Sequence, residues 1–177
     1  MHVIEPAATG RAKCRGCGRA IAAGELRFGE RLPNPFADGE TTLWFHLECA
    51  AFKRPEPFLE ALSARTEALP DGERLRMEAE RGVAHRRLPR VNGAERDPSG
   101  RARCRACKEA IAKGTWRIPL VFFEDGRFEP AGFVHARCAG THFETVDILP
   151  RVRRFRPDLT EEDLAVLVAE LTRAAGA

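Results

Sequence analysis

The chain has 177 residues, with 29 Lys and Arg against 26 Asp and Glu, a net charge of +3, six cysteines and no tyrosine. That length holds one domain or two small ones, and the longest apolar runs, residues 118–123 and 164–169, are far too short to cross a bilayer. Residues 1–10 have no apolar core and carry Glu5, so they do not read as an export signal, and the thiols are expected to stay reduced inside a cell.

Taken in order, the chain repeats itself. Residues 9–27 align with 99–117 at an offset of 90, with eleven of nineteen positions identical. Cys14-Arg-Gly-Cys17 becomes Cys104-Arg-Ala-Cys107, and His46-Leu-Glu-Cys49 becomes His135-Ala-Arg-Cys138. In the first copy Leu26 and Phe28 alternate with Arg27 as a strand would; in the second, Trp116, Ile118, Leu120 and Phe122 share one face and Arg117 takes the other. Asp38-Gly39 and Asp125-Gly126 predict hairpin turns, and Trp44, Trp116 and Phe28 are expected in the core. Helices are expected over 57–69 and 71–81, the second ended by Gly82, and after Thr160-Glu-Glu-Asp163, with Leu164, Leu167, Val168 and Leu171 as an apolar stripe. The fold class is therefore α+β: modules at 1–82 and 97–177, each a short antiparallel sheet with one or two helices, joined by a basic, flexible linker at 83–96.

Charge is segregated along this frame. Residues 81–117 carry eleven basic and three acidic side chains, whereas 56–80 carry three and seven. A basic face of this kind suits a polyanion, and two ordinary solvated surfaces would look the same.

The Cys and His pairs carry the chemistry. Two thiolates two residues apart hold one side of a tetrahedral zinc ion, and a His and Cys at like spacing supply the other. Cys14, Cys17, His46 and Cys49 form one such set; Cys104, Cys107, His135 and Cys138 form the second, and together they use every cysteine. Two structural Zn²⁺ per chain are expected. Four protein ligands leave no open position for a reactive water, so neither site is expected to be catalytic, and with no paired-carboxylate or glycine-loop motif the chain reads as a non-enzyme without a small-molecule substrate. About 28 residues separate the halves of each site, too many for a groove-reading Cys2His2 finger.

The pattern Gly-Arg-Ala-x-Cys-x2-Cys, an Arg ten residues later and an aromatic pair leading into His-x2-Cys resembles the PARP-type zinc finger. Pro33-Asn-Pro-Phe36 is similar to the nick-sensing finger of a DNA ligase. This resemblance implies DNA carrying nicks or ends as the partner, with a repair enzyme recruited afterwards, in a nucleoid or nucleus. It implies phosphate contacts from Arg11, Arg27, Arg101 and Arg117, and base stacking from Phe36, with Phe128 as its candidate counterpart in the second module. Two other readings remain open here: a zinc-stapled protein-interaction module docking through the acidic helix that ends near Leu171, and a binder of RNA or single strands.

Overall fold

The computed structural model describes residues 1–173. The chain divides into two compact units, one of residues 1–84 with 123–127, the other holding the rest of the described chain.

The first unit opens with strand β1 (Val3–Pro6), followed by the Cys14–Cys17 knuckle, strand β2 (Leu26–Pro33) and strand β3 (Glu40–His46), in the sheet order β1-β2-β3. Both pairings are antiparallel, with Glu5 opposite Arg27 and Arg27 opposite His46. The stretch Thr41 to Phe45 is β-branched or aromatic apart from Leu43, which fits a half-buried pleated surface. Between β2 and β3 lies a six-residue loop, closed by an Asn34 N–H to Gly39 carbonyl bond of 2.9 Å. The Asn34 side chain also accepts from the Phe36 N–H at 3.0 Å, and Gly39 has φ 107°, which its missing Cβ allows.

Helix α1 (Leu47–Lys53) begins directly after His46, so His46 and Cys49 sit on its first turn. Helix α2 (Pro55–Ser63) starts on a proline, whose fixed φ suits a first helical position. Buried Glu30 on β2 receives two bonds from Arg54 at the α1–α2 junction, one of 2.8 Å. Phe28, Phe45, Phe52 and Phe58 are fully buried, with Phe28 and Phe58 edge to face at 5.6 Å. Helix α3 (Gly72–Ala84) covers this core through Leu75, Ala79 and Gly82. The expected stop at Gly82 is not there: that glycine lies on the buried face and the helix runs on to Ala84. The helix expected over 57–69 starts earlier and ends at Ser63.

The second unit repeats the frame. The stretch expected as a flexible linker is folded: a 3-10 turn spans Leu88–Arg90, and Leu88, Val91 and Ala94 are in the core. Strand β4 (Glu95–Arg96) pairs with β5 (Trp116–Glu124), which turns into β6 (Arg127–His135). Asp125 and Gly126 have φ 48° and 77°, the two positive values of a tight two-residue hairpin. Pro119 stands where β2 has Gly29; its carbonyl accepts from the Asn92 N–H at 3.0 Å, but it has no N–H to return. That missing donor accounts for a two-residue β4 where β1 has four.

After His135 come a 3-10 turn (Ala136–Cys138), α4 (Ala139–Phe143), α5 (Leu149–Phe155) and α6 (Glu161–Arg173). Thr160 and Asp163 cap α6 reciprocally, each side chain accepting from the other's backbone N–H at 3.1 and 3.2 Å. Leu164, Leu167 and Leu171 face the core, whereas Val168 is 38% exposed and lies outside the buried stripe. The apolar face once available for docking is thus spent on the unit's own interior.

Gly29 gives a test of the first sheet. A Cβ there would lie 2.7 Å from the Trp44 ring and 2.9 Å from both Thr42 and Val3 methyl carbons. Gly29→Ala is expected to cost about 1–3 kcal/mol through overpacking, read as a lowered Tm in thermal unfolding of the zinc-loaded protein.

Candidate metal centres and nucleic-acid interface

Each metal cluster joins two pieces of chain that local folding makes separately. The knuckle supplies Cys14 and Cys17, tied to the sheet by the Arg15 N–H to Trp44 carbonyl bond of 2.8 Å. The end of β3 and the first turn of α1 supply His46 and Cys49. The second unit does the same, with an Arg105 N–H to Phe133 carbonyl bond of 2.8 Å. In each cluster the four ligand atoms lie within 4.8 Å of one another, and all six cysteines are free thiols.

The histidine tautomer is fixed by its outer partner. His46 Nε2 lies 3.1 Å from the Ala20 carbonyl, which can only accept, so Nε2 carries the hydrogen and Nδ1 faces the thiols. Nδ1 is 3.4 Å from Cys17 Sγ and 3.9 Å from Cys49 Sγ. His135 is held identically, 3.2 Å from the Ala110 carbonyl and 3.4 Å from Cys107 Sγ.

The titrations show how much charge is gathered. Bonds from Cys14 and Cys49 hold the Cys17 thiol far below its ordinary value. Cys14 and then Cys17 raise His46 to about 10. In the second cluster burial, then the charges of Cys104 and Cys107, push Cys138 up to about 12. Cys104 comes down to about 7, as backbone N–H groups of Cys107, His135 and Ala106 outweigh burial. Sequence reasoning missed Lys53, a buried amine pulled down to about 7 by burial against the attraction of Cys49, Cys14 and Cys17. Three thiol groups and an oriented imidazole are the donor set of a closed zinc site, and the two clusters fit two zinc ions. The ion would hold the knuckle to the sheet and discharge the repulsion among thiolates, with four protein ligands for its four tetrahedral positions.

The expected DNA-facing residues separate into two groups. Arg11 and Arg101 are exposed, and Phe36 is 86% exposed at the tip of the β2–β3 loop. Arg27 is mostly covered: Nη2 donates to Glu5 at 2.8 Å and the guanidinium lies 3.5 Å over the Trp44 ring. Its Nε is buried without a partner, and Trp44, expected in the core, is half-buried as the platform beneath it. Arg117 is buried over Phe133 at 3.6 Å. Nε and Nη2 both donate to Glu95, the former at 2.9 Å, and Nη1 donates to Asp97. The expectation of a solvent-facing Arg117 is therefore corrected: every guanidinium nitrogen is committed to a carboxylate of the protein. Asp97, absent from the first copy, where Ala7 stands, makes the difference. Phe128 lies within β6, half-buried, rather than at a loop tip.

Burial pushes the Asp97 carboxyl up, but the Gly100 and Ser99 N–H groups and Arg117 outweigh it and hold it below the usual range. A depressed carboxylate contributes stability that is complete at neutral pH and is lost as pH falls through the folded value. Arg117→Ala leaves that buried charge unpaired and is expected to cost about 3–5 kcal/mol. Arg11→Ala, at an exposed position, should stay within about 0.5 kcal/mol; denaturant melts at neutral pH compare the two. Metal analysis should find about two Zn²⁺ per chain, and Cys17→Ala should lower that to about one. Chelation should abolish the cooperative unfolding transition.

Residues 5–86 match the family model described as Poly(ADP-ribose) polymerase and DNA-Ligase Zn-finger region. A poly [ADP-ribose] polymerase of Sarcophaga peregrina is 29% identical over 138 residues, covering 68% of this chain and 14% of its own length. Poly [ADP-ribose] polymerase 1 of Gallus gallus is 28% identical over 161 residues, 76% of this chain and 16% of its own. The chain thus spans only a small part of these relatives. The second unit repeats the ligand set, the knuckle and the strand frame of the first. The first unit thus matches the PARP-type zinc-finger family over residues 5–86, and the second repeats the same metal-clamped frame.

Proposed function

We propose that this protein is a non-catalytic, zinc-dependent binder of DNA strand breaks, recognising nicks or ends without reading sequence. The observation that carries this reading is Phe36, a large apolar ring held 86% exposed on a loop braced by Asn34 and Gly39. A ring in water at a built loop tip has no use in the fold. Intact duplex keeps every base face stacked, whereas a nick or an end presents one. Stacking on such a face contributes roughly 1–3 kcal/mol.

Arg11 and Arg101 supply phosphate contacts in this reading, joined by the small exposed part of the Arg27 guanidinium. Such contacts give affinity that weakens with salt but little choice of site. The β5–β6 turn has only two residues, Asp125 and Gly126, and presents no exposed aromatic, so the second module's part is to hold backbone. Arg117 braces that unit from within. A repair enzyme acting on the break would follow, in the compartment where the DNA lies.

The test compares nicked and closed circular DNA of one sequence. Tighter binding to the nicked form is expected, and equal affinity would remove the proposal. Phe36→Ala should erode the preference about 5- to 150-fold, the equivalent of the stacking energy. Arg11→Ala should weaken binding to both forms alike and lower the salt slope by about 0.9.

A further inference from the structure

The second unit has a groove of about 570 Å³ that no zinc ligand lines, within the usual size range of ligand sites, roughly 300–1,000 Å³. Its rim is basic. Arg87 and Arg90 flank the 3-10 turn, and Arg105 comes from between the ligand cysteines. All three are exposed, and no carboxylate pairs with any of them among the described residues. Its floor is apolar: Leu120 and the half-buried Phe122 lie two residues apart on β5, with Pro130 beside them.

The guanidiniums are placed rather than loose. Arg87 Nη1 donates to the His142 carbonyl at 3.2 Å. Arg105 lies over Gly132, where a Cβ would come within 2.7 Å of its Nε; Gly132, at φ 91°, leaves that space open. The unneutralised charge is felt nearby: burial, then Arg87, Arg90 and Lys108, pulls His142 down to about 4, so the ring adds no further positive charge at neutral pH.

Three like charges gathered without counter-charges oppose folding, and an external polyanion relieves them. The floor narrows the choice. A duplex presents phosphates on a convex surface and hides its base faces, so it would leave Phe122 unused. A single strand offers phosphates and a free base face together, and aromatic side chains beside cations bind that combination without sequence preference. We propose that this groove holds one unpaired nucleic-acid strand, with Arg87, Arg90 and Arg105 on its phosphates and Phe122 under a base. The proposal rests on the break-binding reading only for the strand's origin, the unpaired DNA beside a break.

The test uses the full zinc-loaded chain, a labelled oligothymidylate of about 12 nucleotides and a blunt duplex with closed hairpin ends. The variant Arg87→Ala with Arg105→Ala should bind the oligothymidylate at least about 10-fold more weakly, with a salt slope smaller by about 1.4. Its duplex affinity should change less than about twofold, and zinc content should stay the same. Arg90→Ala, a separate exposed position, should give a loss of about threefold or more in the same direction. Equal losses on both DNAs, no loss on either, or full competition by polyglutamate at matched charge would overturn the proposal. The two readings separate cleanly. Selective loss of oligothymidylate binding without any preference for nicked DNA would sink break sensing and leave the groove. A nick preference with oligothymidylate binding untouched would do the reverse.

Discussion

The structure depends on charge held together against its own repulsion. In each unit three thiols and an imidazole from two distant pieces of chain meet within 4.8 Å. Left to themselves the thiolates oppose one another: burial and then the charges of Cys104 and Cys107 push the Cys138 thiol up. A dication converts that opposition into the main tie between knuckle and sheet. Units of this size bury limited apolar area, so a metal staple does what a larger core would otherwise do.

Around that tie the arginines divide by whether the protein itself answers their charge. Arg54, Arg117 and, in part, Arg27 are matched to Glu30, to Asp97 and Glu95, and to Glu5. They are structural cations, and each has its guanidinium over an aromatic ring. Arg11, Arg101, Arg87, Arg90 and Arg105 have no carboxylate partner among the described residues. An excess of arginine that looks uniform in composition thus becomes, in three dimensions, a set of braces and a set of open charges.

Much of this was legible in the chain. The ligand sets follow from spacing alone, and the hairpins from Asp-Gly pairs between alternating apolar residues. The cap of α6 follows from Thr160 and Asp163. What could not be read depended on partners far away in sequence. Nothing local distinguishes Arg117 from Arg27; the distinction is made by Asp97, twenty positions earlier, where the first copy has Ala7. Residues 83–96 looked like linker because they are basic and hold proline and glycine, yet Leu88, Val91 and Ala94 are core residues, three apart in a stretch too short and too polar to signal an element. Gly82 read as a helix end because its burial was invisible. The knuckle arginines, Arg15 and Arg105, did leave a signal in recurring between both cysteine pairs.

The hairpin between the two ligand pairs is anchored at its base by the knuckle and by the ligand histidine. One copy closes it with two residues and the other with six, while the four ligand atoms gather equally tightly in both. Length and chemistry at that tip are therefore decoupled from metal binding. The frame works as a socket: a different loop can be exchanged into it, by evolution or by design, and the new tip inherits a rigid mount without any change to the residues that build it.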